Sequence, residues 1–277
     1  MKRKRIQMRF ILFALLLLMS WIFWSNTSLT VRTITISSDR LPKAFSGLRI
    51  AHISDLHNAS FGEDNAALLQ MLAENKPDLI AITGDLIDSR RTDIDIALNF
   101  AEEASQIAPV YYVTGNHESR ISQYPKLKTG LEALGVTVLE DTCVLLAREG
   151  QTIRFAGLND PAFGPSGDPA AGVSEKLETM LTDDSVYTIL LSHRPELFDT
   201  YAAHGIDLTL SGHAHGGQIR IPFLGGVIAP NQGLFPPYDS GLYSQAETNM
   251  VVSRGLGNSL FPFRVNNRPE IIFIELR

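Results

Sequence analysis

The chain has 277 residues, 44% hydrophobic and 19% charged, which suffices for one well-buried domain and a terminal segment. Its net charge of −6 argues against a nucleic-acid partner held by a broad basic face. The single cysteine excludes an internal disulfide framework and a thiolate-rich zinc site, and Cys143, in an apolar run, is expected to be a buried core thiol.

The first 31 residues differ in composition from the rest and predict a basic segment followed by a membrane-spanning helix. No charged residue lies between Arg9 and Arg32, and about 20 apolar residues suffice to cross a bilayer. Trp21 and Trp24 fit an interfacial aromatic belt. We predict an uncleaved signal anchor over residues 1–31 and a folded domain over 32–277. The basic cluster should stay cytoplasmic, which places the domain outside a single-pass cell membrane anchor; a cleaved segment would give a secreted form.

Beyond residue 48, short apolar runs alternate with helical patterns. We predict strands over 48–53, 79–83 and 110–113 and helices over 65–75 and 125–134, and Thr92 with Asp95 indicates a capping box for one more helix. Further strands are predicted over 136–139, 144–147, 153–156, 187–191, 208–210, 250–252 and 271–274. Segments 161–172 and 222–241, rich in proline and glycine, are expected to be loops. The pattern is typical of an α/β sandwich of packed sheets flanked by helices.

Five short segments share one layout, in which an apolar strand ends and a metal-binding residue type follows at once. These candidate metal ligands are Asp55, His57, Asp85, Asn116, His193, His213 and His215. Ligands and reactive groups of such sheets gather at the carboxyl ends of the strands. Each segment alone fits an ordinary turn or a packed side chain. Five of the seven histidines fall within these segments, however, and chance placement explains that poorly.

The ligand types predict the kind of metal centre. Oxygen and imidazole donors without thiolate suit Mn, Fe, Zn or Co and argue against a structural zinc site. Seven ligands are too many for one such ion, but they divide well over two divalent ions about 3.5–4 Å apart that share a carboxylate. Such a pair makes hydroxide available near neutral pH and neutralises phosphate oxygens, which predicts hydrolysis of phosphate esters.

Taken together, the motifs resemble those of a known family. They are Asp55-x-His57, Gly84-Asp85, Gly115-Asn116-His117-Glu118, His193 and Gly212-His213-Ala214-His215. The set resembles the signature of the calcineurin-like metallophosphoesterase superfamily and covers roughly residue 48 to the C-terminus. Segments 192–196, 212–218 and 267–270, with the N-terminal anchor, resemble its bacterial membrane-associated (YkuE/YaeI-type) branch. The resemblance implies a four-layer α/β/β/α sandwich.

The resemblance also implies individual roles. Asp55, His57 and His215 would hold one ion; Asn116, His193 and His213 would hold the other; Asp85 would bridge them. His117 would donate a proton or a hydrogen bond to the leaving-group oxygen, and Asp88 resembles the carboxylate that orients this histidine. Arg90 is offset by one position from the arginine of the protein-phosphatase branch, which counts against a phosphoprotein substrate.

Three polar residues near the motifs remain to be placed. His52, inside a predicted strand, is expected to be packed rather than catalytic, and His204 is expected at the surface of a helix end. For Glu118 two alternatives are open: it orients neighbouring groups, or it is simply solvated.

The substrate is less well specified. Apolar residues in segments 223–224, 234–238 and 260–263 either close over the sheet edges or meet acyl chains near the site. The second alternative predicts a phospholipid or another envelope-linked phosphodiester or phosphomonoester. A lipid-linked pyrophosphatase of the UDP-diacylglucosamine type is another alternative, although many of those enzymes carry arginine at the position of His117. A non-catalytic metal-binding scaffold is the last. No obligate protein partner is evident.

Overall fold

The computed structural model describes residues 2–259 and 261–277. The helices are α1 Lys2–Thr27, α2 Ala66–Asn75, α3 Ile94–Ile107, α4 Tyr124–Ala133, α5 Pro169–Met180 and α6 Phe198–Ala203. The strands of the first half are β1 Thr30–Ile36, β2 Arg49–Ile53, β3 Leu79–Thr83, β4 Val110–Val113, β5 Thr137–Val138, β6 Thr142–Arg148 and β7 Gln151–Gly157. Those of the second half are β8 Thr188–Leu191, β9 Leu208–Ser211, β10 Arg220–Ile221, β11 Gly225–Gly226, β12 Ile228–Ala229, β13 Gly233–Leu234, β14 Gly241–Gln245, β15 Thr248–Val252 and β16 Glu270–Leu276.

Twelve of these strands form two sheets of six. The first sheet has the order β1-β16-β2-β3-β4-β5 and the second has the order β14-β15-β9-β8-β7-β6. Strands β2, β3 and β4 run parallel to one another, as do β7, β8 and β9. Their carboxyl ends therefore lie along one edge of each sheet, where the loops that follow them can meet.

Hydrophobic side chains divide the molecule into four layers. Alternate residues of β3 face opposite ways: Ile80 and Ile82 pack with α2, α3 and α4, whereas Leu79 and Ala81 face the second sheet. On the far side of the second sheet, Leu190 packs with α5 and α6. The order is thus helices, sheet, sheet, helices, and the predicted four-layer α/β/β/α sandwich is confirmed.

The local predictions differ from the structure in three helical or loop segments. Asp93, not Thr92, caps α3, because its carboxylate accepts from the backbone N–H groups of Asp95 and Ile96. The segment 161–172 is not wholly a loop, since Asp168 caps α5 and Pro169 occupies its first turn, where a missing N–H costs nothing. The segment 222–241 contains the two-residue strands β11, β12 and β13.

The prediction of a buried cysteine is wrong. Cys143 lies exposed on β6, the outermost strand of the second sheet. Val144 and Leu146 pack against the core between the sheets, so Cys143 and Leu145 point to the uncovered face, and Leu145 is 62% exposed. Apolar composition therefore did not distinguish an edge strand with one covered face from a fully buried strand.

The N-terminal helix α1 is long and apolar enough over Lys4–Thr27 to cross a membrane; a secretory signal would satisfy the same criterion. Its apolar side chains are mostly exposed, among them Phe10 and Leu15. Strand β1 begins at Thr30, so the expected division between residues 31 and 32 falls inside a strand of the first sheet. The division into anchor and domain stays a prediction.

Candidate metal centre

All seven candidate ligands lie together where the two sheets meet. Each follows the carboxyl end of β2, β3, β4, β8 or β9, and each is buried, with at most 5% of its surface exposed. Hydrogen bonds join the ends of the two sheets: His193 Nδ1 lies 2.7 Å from the carbonyl oxygen of Thr83, and the backbone N–H of His213 donates to Asp55 at 3.0 Å.

The ligand atoms form two clusters that share one residue. The first comprises Asp55, His57, Asp85 and His215, and the second comprises Asp85, His193 and His213, with the ligand atoms of each cluster within 4.8 Å of one another. Asp85 Oδ2 lies 3.5 Å from His57 Nε2 and 3.3 Å from His193 Nε2. A carboxylate between two groups of donors is the arrangement that two neighbouring cations require.

The side chains at this site fit metal ions better than they fit one another. Imidazole nitrogens face each other at 3.2 Å between His57 and His215 and at 3.1 Å between His193 and His213. Two imidazole nitrogens that face each other can share only one proton, whereas both nitrogens can bind the same cation through their lone pairs. Asn116 Oδ1 is buried and has no hydrogen-bond partner among the described residues. A carbonyl oxygen in this position is satisfied by a cation.

The backbone of the ligand loops is held in an uncommon conformation. Five of the seven candidate ligands have φ between 47° and 65°, in the left-handed region that residues other than glycine seldom adopt: Asp55, His57, Asp85, His213 and His215. Such residues cluster at functional sites because the surrounding structure must hold them there. A Cβ atom at Gly212 would collide with Ser54 Oγ and Asp55 Oδ2, so glycine is required where the two sheets approach.

Glu118 orients the ligand loops and is not solvated. Its buried carboxylate accepts hydrogen bonds from the backbone N–H groups of Asp85 at 3.0 Å, Leu86 at 2.8 Å and Gly115 at 2.8 Å. Burial, followed by the charge of Asp85, raises the pKa of Glu118 to about 7. The contact between His193 Nδ1 and the Thr83 carbonyl fixes the proton on Nδ1 and leaves His193 Nε2 free as a ligand.

Electrostatics act differently on the buried carboxylates and on the individual imidazoles. Burial acts to raise the pKa of Asp85, but the charge of His193 outweighs it and the pKa falls well below the ordinary value. Burial lowers the pKa of His215 to about 3 and that of His213 well below its ordinary value. Against burial, Asp55 and Asp85 raise the pKa of His57 above its ordinary value, and Asp85 raises that of His193 to about 10. Metal binding would displace the extra proton of these two imidazoles, because a ligand imidazole must be neutral.

Sequence comparison decides the family. Residues 48–217, more than half of the chain, match the family described as "Calcineurin-like phosphoesterase". The chain belongs to the calcineurin-like phosphoesterase family. As a member of that family it is a metal-dependent hydrolase of phosphoric esters.

Bacterial and animal members of the family align along most of this phosphoesterase. The "Uncharacterized metallophosphoesterase YkuE" of Bacillus subtilis is 32% identical, over 88% of this chain and 84% of its own length. The "Phosphodiesterase YaeI" of Escherichia coli is 28% identical, over 82% of both chains. A "Transmembrane protein with metallophosphoesterase domain" of Danio rerio is 30% identical, over 88% of this chain and 56% of its own length. The chain thus falls in the predicted branch.

In this phosphoesterase, His117 lies beside the two clusters, with its ring 4.5 Å from that of His57. Its Nδ1 accepts a hydrogen bond from the backbone N–H of Ser89 at 3.0 Å, which places the ring proton on Nε2. His117 Nε2 lies 3.1 Å from Ser259 Oγ. Burial lowers the pKa of His117 to about 4.

Asp88 adjoins His117 without a direct hydrogen bond. Its Oδ1 lies 3.7 Å from His117 Nδ1, and its carboxylate instead accepts from the backbone N–H and the guanidinium of Arg90, at 2.9 and 3.1 Å. The contact expected between Asp88 and His117 therefore runs through the turn that carries Ser89. Neither Ser89 nor Ser259 was foreseen, because single serines carry no pattern and Ser259 is 142 residues from His117.

Two adjoining cavities open beside the clusters. The first, of about 290 Å³, is lined by Asp85, Arg90, Asn116, His117, Arg120, Arg194, His213, His215, Pro230, Asn231 and Ser259. The second, of about 230 Å³, is lined by His215, Gln218, Ile228, Ala229, Pro230, Ser259 and Phe261. We call them the metal cavity and the apolar cavity. Arginines in the first suit an anionic substrate.

Two histidines lie outside the centre, as expected. His52 is buried in β2, its Nε2 is 2.8 Å from Thr83 Oγ1, and burial lowers its pKa to about 3. It is packed, as predicted. His204 lies half-buried at the end of α6, 2.8 Å from Ser174 Oγ.

Proposed function

We propose that this protein hydrolyses phosphodiester or phosphomonoester bonds of a membrane- or envelope-linked substrate, such as a phospholipid, and that it uses two divalent metal ions. The observation that supports this most directly is the pair of donor clusters joined by Asp85. The ions would be Mn, Fe, Zn or Co, which share a preference for these oxygen and imidazole ligands.

Each cluster would hold one ion. One set of ligands would be Asp55, His57 and His215, the other would be Asn116, His193 and His213, and Asp85 would contribute to both. When bound, two such ions supply a hydroxide nucleophile near neutral pH and neutralise the oxygens of the phosphate. The burial of the ligands supports tight binding, because a dry site strengthens each charge interaction.

His117 would donate a hydrogen bond from Nε2–H to the leaving-group oxygen, where negative charge develops as the ester bond breaks. The hydrogen bond from Ser89 to Nδ1 leaves the proton on Nε2, the atom that lies against the metal cavity beside Ser259. Such a donor matters most for an alkoxide leaving group, the kind that phosphodiesters and phosphomonoesters of alcohols release. Asp88 would act as a positioning residue, since it holds the turn that carries Ser89.

We propose that α1 attaches the enzyme to the cell membrane with the domain on the extracytoplasmic side. The length and hydropathy of α1, its exposed apolar surface and the transmembrane relative support this proposal. The lysines and arginines at the start of α1 favour retention of that end in the cytoplasm. The same attachment supports a substrate that resides in the membrane.

The test is hydrolysis of bis-p-nitrophenyl phosphate and p-nitrophenyl phosphate by the full chain in detergent, first freed of metal and then supplied with Mn, Fe, Co or Zn. Asp85→Asn removes the shared carboxylate charge and keeps the shape of the side chain. Asp184→Asn, at an exposed position, is the matched control. We expect metal-dependent turnover that Asp85→Asn lowers by at least about 100-fold and the control preserves. Turnover that persists in chelator, or in Asp85→Asn, would refute the two-metal mechanism.

A further inference from the structure

Several large apolar side chains project from the loops that border the two cavities. Phe223 is fully exposed, Leu234 is 68% exposed, and Phe235 and Phe261 are also exposed. We call Phe223, Leu224, Leu234, Phe235, Phe261 and Phe263 the apolar rim. Contiguous exposed apolar patches on soluble proteins usually mark an interaction with a protein or a membrane.

Hydrogen bonds hold the segments of the rim next to one another. The Gln218 side chain donates to the carbonyl oxygens of Phe261 and Phe263, each at 3.1 Å. The backbone N–H of Phe235 donates to the carbonyl oxygen of Val227 at 2.8 Å. Val227 directly follows β11, the second strand of the hairpin whose turn carries Phe223. Hydrogen bonds thus join the segments that carry the rim residues to their neighbours in the fold.

The end of α1 is attached to this same surface. Trp21 Nε1 donates to Asn266 Oδ1 at 3.0 Å, and Asn26 Oδ1 accepts from the backbone N–H of Arg264 at 2.9 Å. Asn266 lines a surface cleft together with Pro222 and Phe223. The rim thus emerges beside the last turns of the helix that we propose to cross the membrane.

We infer that the apolar rim inserts into the lipid leaflet from which α1 emerges. The inference rests on the proposed membrane attachment, and α1 itself indicates the partner: a rim fixed to the end of a bilayer-spanning helix meets that bilayer first. Amphipathic surfaces of this kind lie at the boundary between headgroups and acyl chains. Trp21 and Trp24, 5.2 Å apart, are suited to the same boundary.

The apolar cavity joins the rim to the metal centre. Phe261 belongs both to the rim and to the wall of this cavity, and Ile228 and Ala229 line its interior. His215, Pro230 and Ser259 border both the apolar cavity and the metal cavity. A lipid whose phosphate lies at the metal cavity would place its apolar portion here. Among the phosphoesters proposed above, an apolar cavity between the rim and the metal cavity favours a lipid phosphoester that enters from the leaflet.

The test measures the depth of single residues in the bilayer. Starting from Cys143→Ser, which removes the only natural thiol, cysteine is introduced as Phe223→Cys, Leu234→Cys, Leu15→Cys or Leu145→Cys. Each full chain is labelled with a polarity-sensitive fluorophore and reconstituted into phosphatidylcholine–phosphatidylglycerol vesicles that carry spin-labelled lipids. Leu145 is the matched control, since it is similarly exposed but lies on β6, an edge strand of the second sheet that carries no rim residue.

We expect quenching at positions 223 and 234 at least about twofold above that at position 145, as for side chains buried roughly 5–10 Å below the surface. Quenching at position 15 reports the proposed attachment separately. If position 15 is quenched and positions 223 and 234 behave like 145, the rim inference alone is overturned. If position 15 is also unquenched, the membrane attachment and the inference fail together. Because quenching does not depend on turnover, failure of the rim inference can be distinguished from failure of the proposed hydrolase activity.

Discussion

The loops that carry the candidate ligands and the loops that form the apolar rim border the same cavities but are built in opposite ways. The ligand residues are buried, cross-linked by backbone hydrogen bonds and partly held in left-handed conformations. The rim residues are exposed and lie on or beside strands of two residues or in the loop between β15 and β16. Reactive groups in this fold are thus placed on rigid strand ends, whereas the surface proposed to select the substrate lies on irregular loops.

Within the rigid region, the largest expected effect after loss of Asp85 is that of His117→Gln. We expect kcat for an alkyl phosphodiester to fall about 10²- to 10⁴-fold, because the donor to the alkoxide leaving group is lost while the ligand loops stay in place. Bis-p-nitrophenyl phosphate, whose phenolate leaves readily, should lose less. Metal content, measured on the same preparation, should remain at the wild-type value.

His204→Gln is the matched control for this variant, since His204 lies at the end of α6 away from both cavities. It should preserve both kcat and metal content. If His117→Gln loses metal in proportion to activity, His117 is itself a metal ligand. The assignment of His117 to the leaving group would then be wrong.

Glu118→Gln tests whether the rigidity of the ligand loops matters. The amide presents an N–H₂ group where a carboxylate now accepts four backbone N–H groups, two on each oxygen, so two of these bonds must break. We expect metal affinity, measured by competition with a chelator, to fall about 10- to 100-fold. Glu149→Gln, at an exposed turn, is the control and should leave the affinity unchanged. Equal affinities in the two variants would show that Glu118 does not orient the ligands.

Cys143→Ser probes an exposed position away from both regions and should have the smallest effect. Since the thiol is exposed on β6, we expect the free energy of unfolding to change by no more than about 0.5 kcal/mol in denaturant titrations. A loss several times larger would show that the thiol is packed, as its apolar neighbours had suggested.

The sequence predicted the rigid region far better than the irregular one. Strands at 79–83 and 110–113 were located to the residue, because a central strand is a short apolar run bounded by turn residues. The candidate ligands were found since each directly follows such a strand. Their assignment to two ions and the role of His117 stay predictions, now supported by the two clusters and by the proton position on His117.

The features that the sequence did not predict depend on contacts between residues far apart in the chain. Strand β1 was not foreseen, although it completes one edge of the first sheet. The environment of Cys143 depends on which face of an edge strand is covered, and composition does not carry that information. Ser259 reaches His117 from the loop between β15 and β16, and the exposure of Phe223 depends on how the separate turn between β10 and β11 lies. Loops have no periodicity from which such contacts could be read.

The position of β16 has a consequence for how the protein is made. This strand pairs with β1 on one side, where Ile274 lies opposite Ile34, and with β2 on the other, where Ile274 lies opposite Ile50. During synthesis β1 leaves the ribosome more than 200 residues before the strand that it pairs with. Such distant pairing slows folding and leaves an open sheet edge in the nascent chain. A chain that stalls or is clipped before β16 would therefore leave β1 unpaired and expose the interior of the first sheet to aggregation or proteolysis.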